Sequence, residues 1–253
     1  MGIKKPYKRT CRQFIDGSYA DSGKSKYLRH KDFADSPEQY VRPFLLIQKD
    51  LQHLFDYIEP SDQNLNCYSY RIHELFTRTC IEVEANCKAI LIENGYTKKG
   101  DLKMEDYKKI NASHRLSSYE IALPLWSGAN KIRKPFSNWE IGGSLSWYRA
   151  YNSTKHDRHG EFKQACFDNL IESVCGLAAI LSAQFWQEDF IPSTGLLALE
   201  GSYDGMESVI GDYFRVKFPN DWPDNEKYDF TYEDINKPDF SIEKFDYSKV
   251  NNT

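Results

Sequence analysis

Several features that define large functional classes are missing from this chain of 253 residues. No apolar run approaches the roughly 20 residues that a membrane-spanning helix needs. The basic stretch from Met1 to Arg12 is not followed by the apolar segment of a secretory signal. The chain also lacks a Gly-rich phosphate-binding loop and the Gly-x-Ser-x-Gly turn of many hydrolases. These absences predict a cytoplasmic protein without a membrane partner and argue against two common enzyme classes.

Signals for a metal are equally weak. The six cysteines have no Cys-x-x-Cys spacing, so they predict buried, reduced thiols rather than a zinc site. His156, Asp157, His159 and Glu161 are close in sequence and form an alternative set of ligands. Carboxylate-bridged metals in helical bundles use Glu-x-x-His pairs, however, and none occurs here. We therefore predict no metal and no cofactor.

Charge is distributed unevenly, although the net charge is only −4. Residues 1–33 carry nine Lys or Arg against three Asp, whereas residues 219–253 carry nine Asp or Glu against four Lys. Three interpretations of the basic segment remain open. It contacts nucleic acid, it is a solvated arm, or it docks on an acidic part of the same chain.

Apolar periodicity of three and four residues predicts long amphipathic helices at residues 36–59, 67–93, 144–159 and 161–187. Ser36 is expected to cap the first helix, Asn94-Gly95 to end the second, and Gly160 to break the chain between the last two. A short helix is expected at 104–110, a strand or an extended segment at 119–126, and a strand at 213–218. The predicted fold class is mainly α, an antiparallel helical bundle with short β or irregular additions and an irregular C-terminal tail.

This pattern predicts three regions: a basic N-terminal arm (1–35), a helical bundle domain (36–190), and an irregular C-terminal extension packed on the bundle (191–253). Aromatic residues make up 15% of the chain, with 17 Tyr and 15 Phe. The extension is rich in these rings, and we expect them to anchor it to the body.

The most informative segment, Trp147-Tyr-Arg-Ala-Tyr-Asn-Ser-Thr-Lys-His-Asp-Arg-His159, precedes the last long helix. Arg149 and His156 are seven residues apart, nearly two helical turns, so both side chains are expected on one face. Asn152 stands between them at spacings of three and four. An arginine, an amide and a histidine in one row suit the binding of a phosphate and the transfer of a proton.

This segment resembles the motif of the HEPN superfamily, in which an Arg is followed after four to six residues by a His near the start of a late helix. The resemblance covers roughly residues 36–187. It implies a metal-independent endoribonuclease of a toxin–antitoxin or phage-defence system, with an antitoxin or defence protein as partner. It also implies a homodimer with two facing motifs. Arg149, Asn152 and His156 would be catalytic, and the RNA-binding residues would be Lys155, Arg158, His159 and Tyr151.

Other interpretations of these residues stay open. A non-catalytic binding or scaffold module for nucleic acid or protein would have the same composition and helix pattern. In that case Arg149 would bridge to Glu82 or Glu84, and His156 would be an ordinary interhelical histidine. The aromatic residues of the segment, Tyr151 among them, would belong to the core or to an interface rather than stack on bases.

Overall fold

About half of the chain is helical, and the fold is mainly α. The structure, a computed structural model, describes residues 2–190, 206–211 and 213–250. The α-helices in these ranges are α1 (Glu38–Phe55), α2 (Tyr70–Glu93), α3 (Met104–Tyr107), α4 (Asn111–His114), α5 (Ser146–His156), α6 (Arg158–Glu161), α7 (Phe167–Phe185) and α8 (Tyr232–Ile235). The 3-10 helices are Asp21–Arg29, Asp62–Asn64, Lys108–Ile110, Leu116–Ser118, Ala129–Lys131, Ser137–Trp139, Phe162–Gln164 and Tyr247–Lys249. None of the helices in the described ranges combines the length and apolarity needed to cross a bilayer.

The core lies where α2 packs along α7 and α1 packs on both. α7 is buried on nearly all sides, and its small residues Gly176, Ala178 and Ala179 allow close approach of neighbouring groups. Gly176 lies against Trp147 and Phe136, where an added Cβ would come within 3.3 Å of the Trp147 ring. The apolar stripes that predicted these helices therefore do face a common core.

The first two long helices begin two and three residues later than predicted, and the second ends where it was expected to end. α1 begins at Glu38, and Ser36 does not cap it, because Pro37 occupies the cap position without a side-chain hydrogen bond. α2 begins at Tyr70, after Ser69, whose hydroxyl accepts from the Ile72 amide at 3.2 Å. Asn94-Gly95 ends α2 as expected, with Gly95 at a φ of +83°.

α7 begins six residues later than the predicted start at residue 161. The residue before it, Cys166, is extended and forms an antiparallel bridge with Tyr68. The Phe167 amide also donates to the carbonyl of Cys67 at 2.7 Å. These backbone bonds to the segment before α2 take the place of a further helical turn.

A small antiparallel sheet lies beside the helices, with strand order β2–β1–β4–β3 in the described ranges. The strands are β1 (Glu120–Ala122), β2 (Ile132–Arg133), β3 (Glu207–Ser208) and β4 (Arg215–Lys217). Ile121 pairs with Arg133 on one side and with Val216 on the other. Both predicted strand regions are thus confirmed in shortened form. β3 and β4 belong to the predicted C-terminal extension, of which residues 191–205, 212 and 251–253 lie outside the described ranges.

The basic N-terminal segment docks on the acidic end of the chain. Ile3 and Tyr7 form parallel bridges with Tyr228 and Glu243, and Lys4 forms an ion pair with Asp229. This was one of the three interpretations of its charge, and a solvated arm does not fit these contacts. Residues 2–35 are also part of the core, because Cys11, Phe14, Tyr27, Leu28 and Phe33 are buried.

Arg9 is fully buried and is the centre of a polar network. Its Nε forms an ion pair with Glu93 of α2 at 2.6 Å, and its Nη1 donates to Gln184 of α7 at 3.0 Å. Gln184 in turn donates to Asn86 of α2 at 2.9 Å. The Arg9 guanidinium lies over the Tyr40 ring, with its Cζ 4.2 Å from the ring centroid. The N-terminal segment is therefore tied to the two central helices through its charge.

A second buried network joins the N-terminal segment to the C-terminal tail through α4. His114 Nε2 lies 2.8 Å from the Arg9 carbonyl, Ser113 Oγ lies 2.7 Å from His114 Nδ1, and the Tyr247 hydroxyl lies 2.6 Å from Ser113 Oγ. A carbonyl only accepts, so Nε2 carries the proton and Nδ1 accepts from Ser113. Burial lowers the pKa of His114 to about 3.

The cysteine prediction is right for the thiols of the core and wrong for two others. Cys11, Cys80, Cys87 and Cys175 are buried, and burial raises the pKa of the Cys11 thiol to about 12. Cys67 is exposed and Cys166 is half-buried, because both lie in the extended segments before α2 and α7 rather than on a buried helix face.

Candidate functional site

α5 carries the segment that the sequence singles out. Its buried side consists of Trp147, Tyr148, Ala150, Tyr151 and Thr154. Arg149 and His156 are exposed on the other side, and Asn152 is half-buried between them. Three of the predicted site residues therefore share the solvent side of one helix.

α5 is shorter than the predicted helix at 144–159. It ends at Asp157, which has an extended φ of −135°, and not at Gly160. The Asp157 carboxylate accepts from the Gly160 amide at 2.9 Å and so caps α6. Arg158 and His159 lie on α6, beyond this break, and both are exposed.

A cavity of about 490 Å³ opens beside α5. One wall is α5 itself, the second is Glu84 of α2, and the third is the segment that forms α3. Its lining comprises Glu84, Leu102, Lys103, Met104, Glu105, Tyr107, Tyr148, Asn152, Lys155 and His156. Asn152, Lys155 and His156 therefore share one cavity, whereas Arg149, Arg158 and His159 are not part of its lining.

Tyr148 connects two walls of this cavity. Its hydroxyl donates to Glu84 Oε1 at 2.7 Å. Burial, together with the hydrogen bond to the Glu84 carboxylate, raises the pKa of Tyr148 well above its usual range. Tyr107 is also largely buried, and burial raises its pKa to about 12. Both phenols therefore stay protonated near neutral pH, and Tyr148 acts as a hydrogen-bond donor.

Charge in the cavity is mixed. Lys103, Lys155 and His156 supply cations or groups that become cations, and Glu84 and Glu105 supply carboxylates. Such a lining has general acid and base groups for proton transfer and donors for an anion. It differs from a purely basic phosphate site, in which carboxylates are absent.

Arg149 does not form the bridge to α2 that the binding-module interpretation requires. In the described ranges no carboxylate lies within 4 Å of its guanidinium, and Glu84 is occupied by Tyr148. The Arg149 side chain is thus exposed to solvent and has no ion-pair partner in the described ranges.

Tyr151 is not available as a base-binding residue. Its side chain is only 2% exposed, and its ring packs edge-on against Phe76 of α2. The Lys155 ammonium lies 5.3 Å from the Tyr151 ring centroid. The prediction of Tyr151 as a substrate-binding residue is therefore corrected. Tyr151 lies three residues from Tyr148 and from Thr154, and all three belong to the buried face of α5.

The alternative set of metal ligands is not assembled. Asp157 is engaged with the Gly160 amide, and Glu161 accepts a hydrogen bond from Gln164. Across the described residues no group of three or more His, Cys, Asp or Glu is placed to hold a metal ion.

The sequence prediction missed the walls that face α5. Glu84, Lys103, Glu105 and Tyr107 are 49 to 72 residues before His156 in the chain, and no local motif links them to it. The spacing of Tyr148, Asn152 and His156 at steps of four residues was a usable signal for the α5 wall.

Comparisons with models of protein families, with curated proteins and with solved structures give no match for this chain.

Proposed function

We propose that this protein acts on RNA as a HEPN-like, metal-independent endoribonuclease, with its long helices forming an antiparallel bundle. The observation that carries the proposal is the solvent side of α5, where Arg149, Asn152 and His156 are accessible and the latter two line a cavity. The motif that resembles the family is thus free to meet a substrate. A phage-defence or antitoxin partner belongs to the same proposal.

The proposed reaction begins with attack of the ribose 2′-hydroxyl on the adjacent phosphorus. His156 takes the hydroxyl proton as general base, or supplies a proton to the leaving oxygen as general acid. Arg149 stabilises charge on the phosphate oxygens with its planar guanidinium. Asn152 orients the phosphate or the imidazole. The P–O2′ bond forms as the P–O5′ bond breaks, which leaves a 2′,3′-cyclic phosphate and a protonated 5′-hydroxyl. The attacking group is the ribose hydroxyl, so the proposed reaction uses no metal-bound water as nucleophile.

A homodimer is part of this proposal. Arg149 and His156 are about 10 Å apart along the helix axis, given a rise of 1.5 Å per residue. Two facing copies of α5 would bring an arginine of one subunit close to a histidine of the other. A monomer at micromolar concentration in light scattering would contradict this composite site.

A single cleavage assay on varied RNAs tests the proposal. His156→Ala should abolish cleavage, and Arg149→Ala should slow it on the order of 10²–10³-fold. His53→Ala on α1 is the matched control, since this exposed histidine is not part of the cavity lining and its loss should leave most activity. EDTA should have no effect. Robust cleavage by His156→Ala would contradict the assignment, and cleavage that EDTA abolishes would favour a metal.

A non-catalytic binding module is the second candidate, and the carboxylates of the cavity favour it. Glu84 and Glu105 would repel a phosphate that entered deeply. Glu84→Gln separates the two candidates, because the amide oxygen still accepts from Tyr148 while the charge is lost. If Glu84 takes part in proton transfer, cleavage falls. If the protein only binds RNA, affinity rises and no product forms with any variant.

A further inference from the structure

Exposed aromatic rings cluster at the start of α2, next to the end of α5. Tyr70 is 71% exposed and Tyr68 is 46% exposed. The Tyr70 ring lies 4.7 Å from the half-buried Phe162 ring, tilted by 38°, and Tyr68 meets Phe162 edge-on at 5.7 Å. His73 adds a fourth ring at 5.8 Å from Phe162. We name Tyr68, Tyr70, His73 and Phe162 the aromatic platform.

Backbone bonds hold the platform in place. The bridge between Tyr68 and Cys166 joins the segment before α2 to the segment before α7. Ser69 fixes the first turn of α2 by accepting from the Ile72 amide. Tyr68 and Tyr70, on either side of this cap, therefore present their rings from a rigid backbone, and large tyrosine surfaces remain uncovered within the described structure. Exposed clusters of this kind mark binding surfaces.

Cations surround the aromatic platform. Arg158 is exposed on α6, four residues before Phe162 of the platform. Burial and then the positive charge of Arg158 lower the pKa of His73. Arg71 adjoins Tyr70 in α2, and its side chain is 83% exposed. Lys163 adjoins Phe162 and is exposed.

The carboxylates in this neighbourhood are already engaged. Glu74 pairs with Arg71 at 3.1 Å, Asp157 caps α6, and Glu161 accepts from Gln164. No carboxylate of the described ranges lies within ion-pair distance of Arg158 or Lys163. The surface therefore offers rings beside two exposed side chains, Arg158 and Lys163, that can each donate hydrogen bonds to a phosphate.

We propose that the aromatic platform binds single-stranded RNA, with a base stacked on Tyr70 and Phe162 and a neighbouring phosphate at Arg158. The identity of the ligand as RNA rests on the proposed function. Unpaired bases have free faces for stacking, whereas the bases of a duplex are stacked on one another. Exposed rings beside Arg158 and Lys163, two cations without an ion-pair partner in the described ranges, match the bases and phosphates of a single strand.

Arg158 and His159, which lie outside the α5 cavity, acquire a role in this proposal. α6 follows α5 directly, so a strand held at the platform would lead along α6 toward His156. The break at Asp157 then separates two tasks: α5 carries the reacting groups, and α6 with the platform holds the strand.

The test measures binding independently of cleavage, by fluorescence anisotropy with a 2′-O-methylated single-stranded RNA oligonucleotide that the proposed chemistry does not cut. Tyr70→Ala should weaken binding about 5- to 100-fold. Tyr70→Phe should stay within about 2-fold, because the ring remains. Tyr232→Ala on α8 is the matched control, an exposed tyrosine (43%) outside the platform, and should bind like wild type.

Arg158→Ala should lower the salt dependence of binding, reducing the slope of log affinity against log salt by about 0.7. Tyr68→Ala gives a second, independent removal of a ring and should also weaken binding. The duplex form of the oligonucleotide should show little dependence on Tyr70.

Absence of binding by the wild type, or equal binding by wild type and Tyr70→Ala, would overturn the platform. A change of oligomeric state in Tyr70→Ala with unchanged RNA affinity would instead identify the rings as a protein interface and also overturn it. The two proposals fail separately. RNA cleavage without dependence on Tyr70 removes only the platform, and Tyr70-dependent binding without cleavage removes only the endoribonuclease.

Discussion

Lowering the pH from 7 to 5 should destabilise this fold through one buried histidine. His114 is fully buried, donates from Nε2 to the Arg9 carbonyl and accepts at Nδ1 from Ser113. Burial lowers its pKa from 6.5 to about 3. Between these two values the unfolded chain binds a proton at His114 and the folded chain does not, so stability falls as the pH drops.

The size of the effect follows from the two pKa values. Each pH unit below the unfolded pKa costs about 1.4 kcal/mol until the folded pKa is reached. At pH 5 the loss relative to pH 7 is therefore about 2 kcal/mol. Most carboxylates whose pKa the fold lowers, such as Asp16 and Asp234, with values near 2, lose their contribution only below this window.

Urea denaturation at pH 7 and pH 5, followed by tryptophan fluorescence, measures this loss. His114→Gln keeps a side-chain amide that can donate to the Arg9 carbonyl, but this amide does not titrate. The free energy of unfolding of His114→Gln should therefore fall by about 2 kcal/mol less than that of the wild type between pH 7 and pH 5. Tyr247→Phe is the matched control. It removes the hydroxyl next to Ser113 but leaves the imidazole, and should retain the full pH dependence. Equal pH dependence in wild type and His114→Gln would refute the reasoning.

Two further perturbations test the packing around β2. Gly128 has a φ of +130°, and an added Cβ would lie 2.3 Å from the Asp62 carboxylate that binds Trp126, so Gly128→Ala should destabilise by roughly 2–4 kcal/mol. Gly100→Ala, with φ +89° and open space, should cost only about 1 kcal/mol, and equal urea midpoints for both variants would contradict the predicted clash. Arg133→Met should cost about 3–5 kcal/mol in the same assay, because Glu172, held at 2.9 Å, would remain largely buried without its partner. A loss below 1 kcal/mol would mean that Glu172 is neutral or hydrated in the fold.

The helical core could be predicted from the sequence because its signals are local. Apolar spacing of three and four residues identifies α1, α2 and α7, and Asn94-Gly95 marks the end of α2. The start of α7 depends on a distant partner and was misplaced. α7 starts late because Cys166 pairs with Tyr68, which is 98 residues earlier in the chain.

The role of the N-terminal segment illustrates a second limit. Its charge, opposite to that of the C-terminal tail, predicted docking as one of three outcomes. Composition could not single out Arg9 as a fully buried residue, because burial of an arginine requires a complete set of partners. Glu93 and Gln184 supply two of these partners from different helices and the Asp35 carbonyl supplies a third, and none is recognisable as a partner from local spacing.

The candidate site shows why a shared helix face is a weaker statement than a shared cavity. Arg149 and His156 differ by about 20° around α5, so the sequence spacing correctly predicts one face. The cavity is bounded by groups beside that face, Glu84 and the α3 segment, and it opens toward Tyr148, Asn152 and His156. Arg149 is rotated about 100° from Tyr148 and lies at the opposite edge of the face. Arg149 and His156 are also about 10 Å apart along the helix axis. They can therefore act on one phosphate only if the substrate spans that distance or if a second copy of α5 places its own arginine beside His156. The oligomeric state and the loss of activity in Arg149→Ala are therefore linked: a monomer should tolerate that substitution far better than a dimer with a composite site.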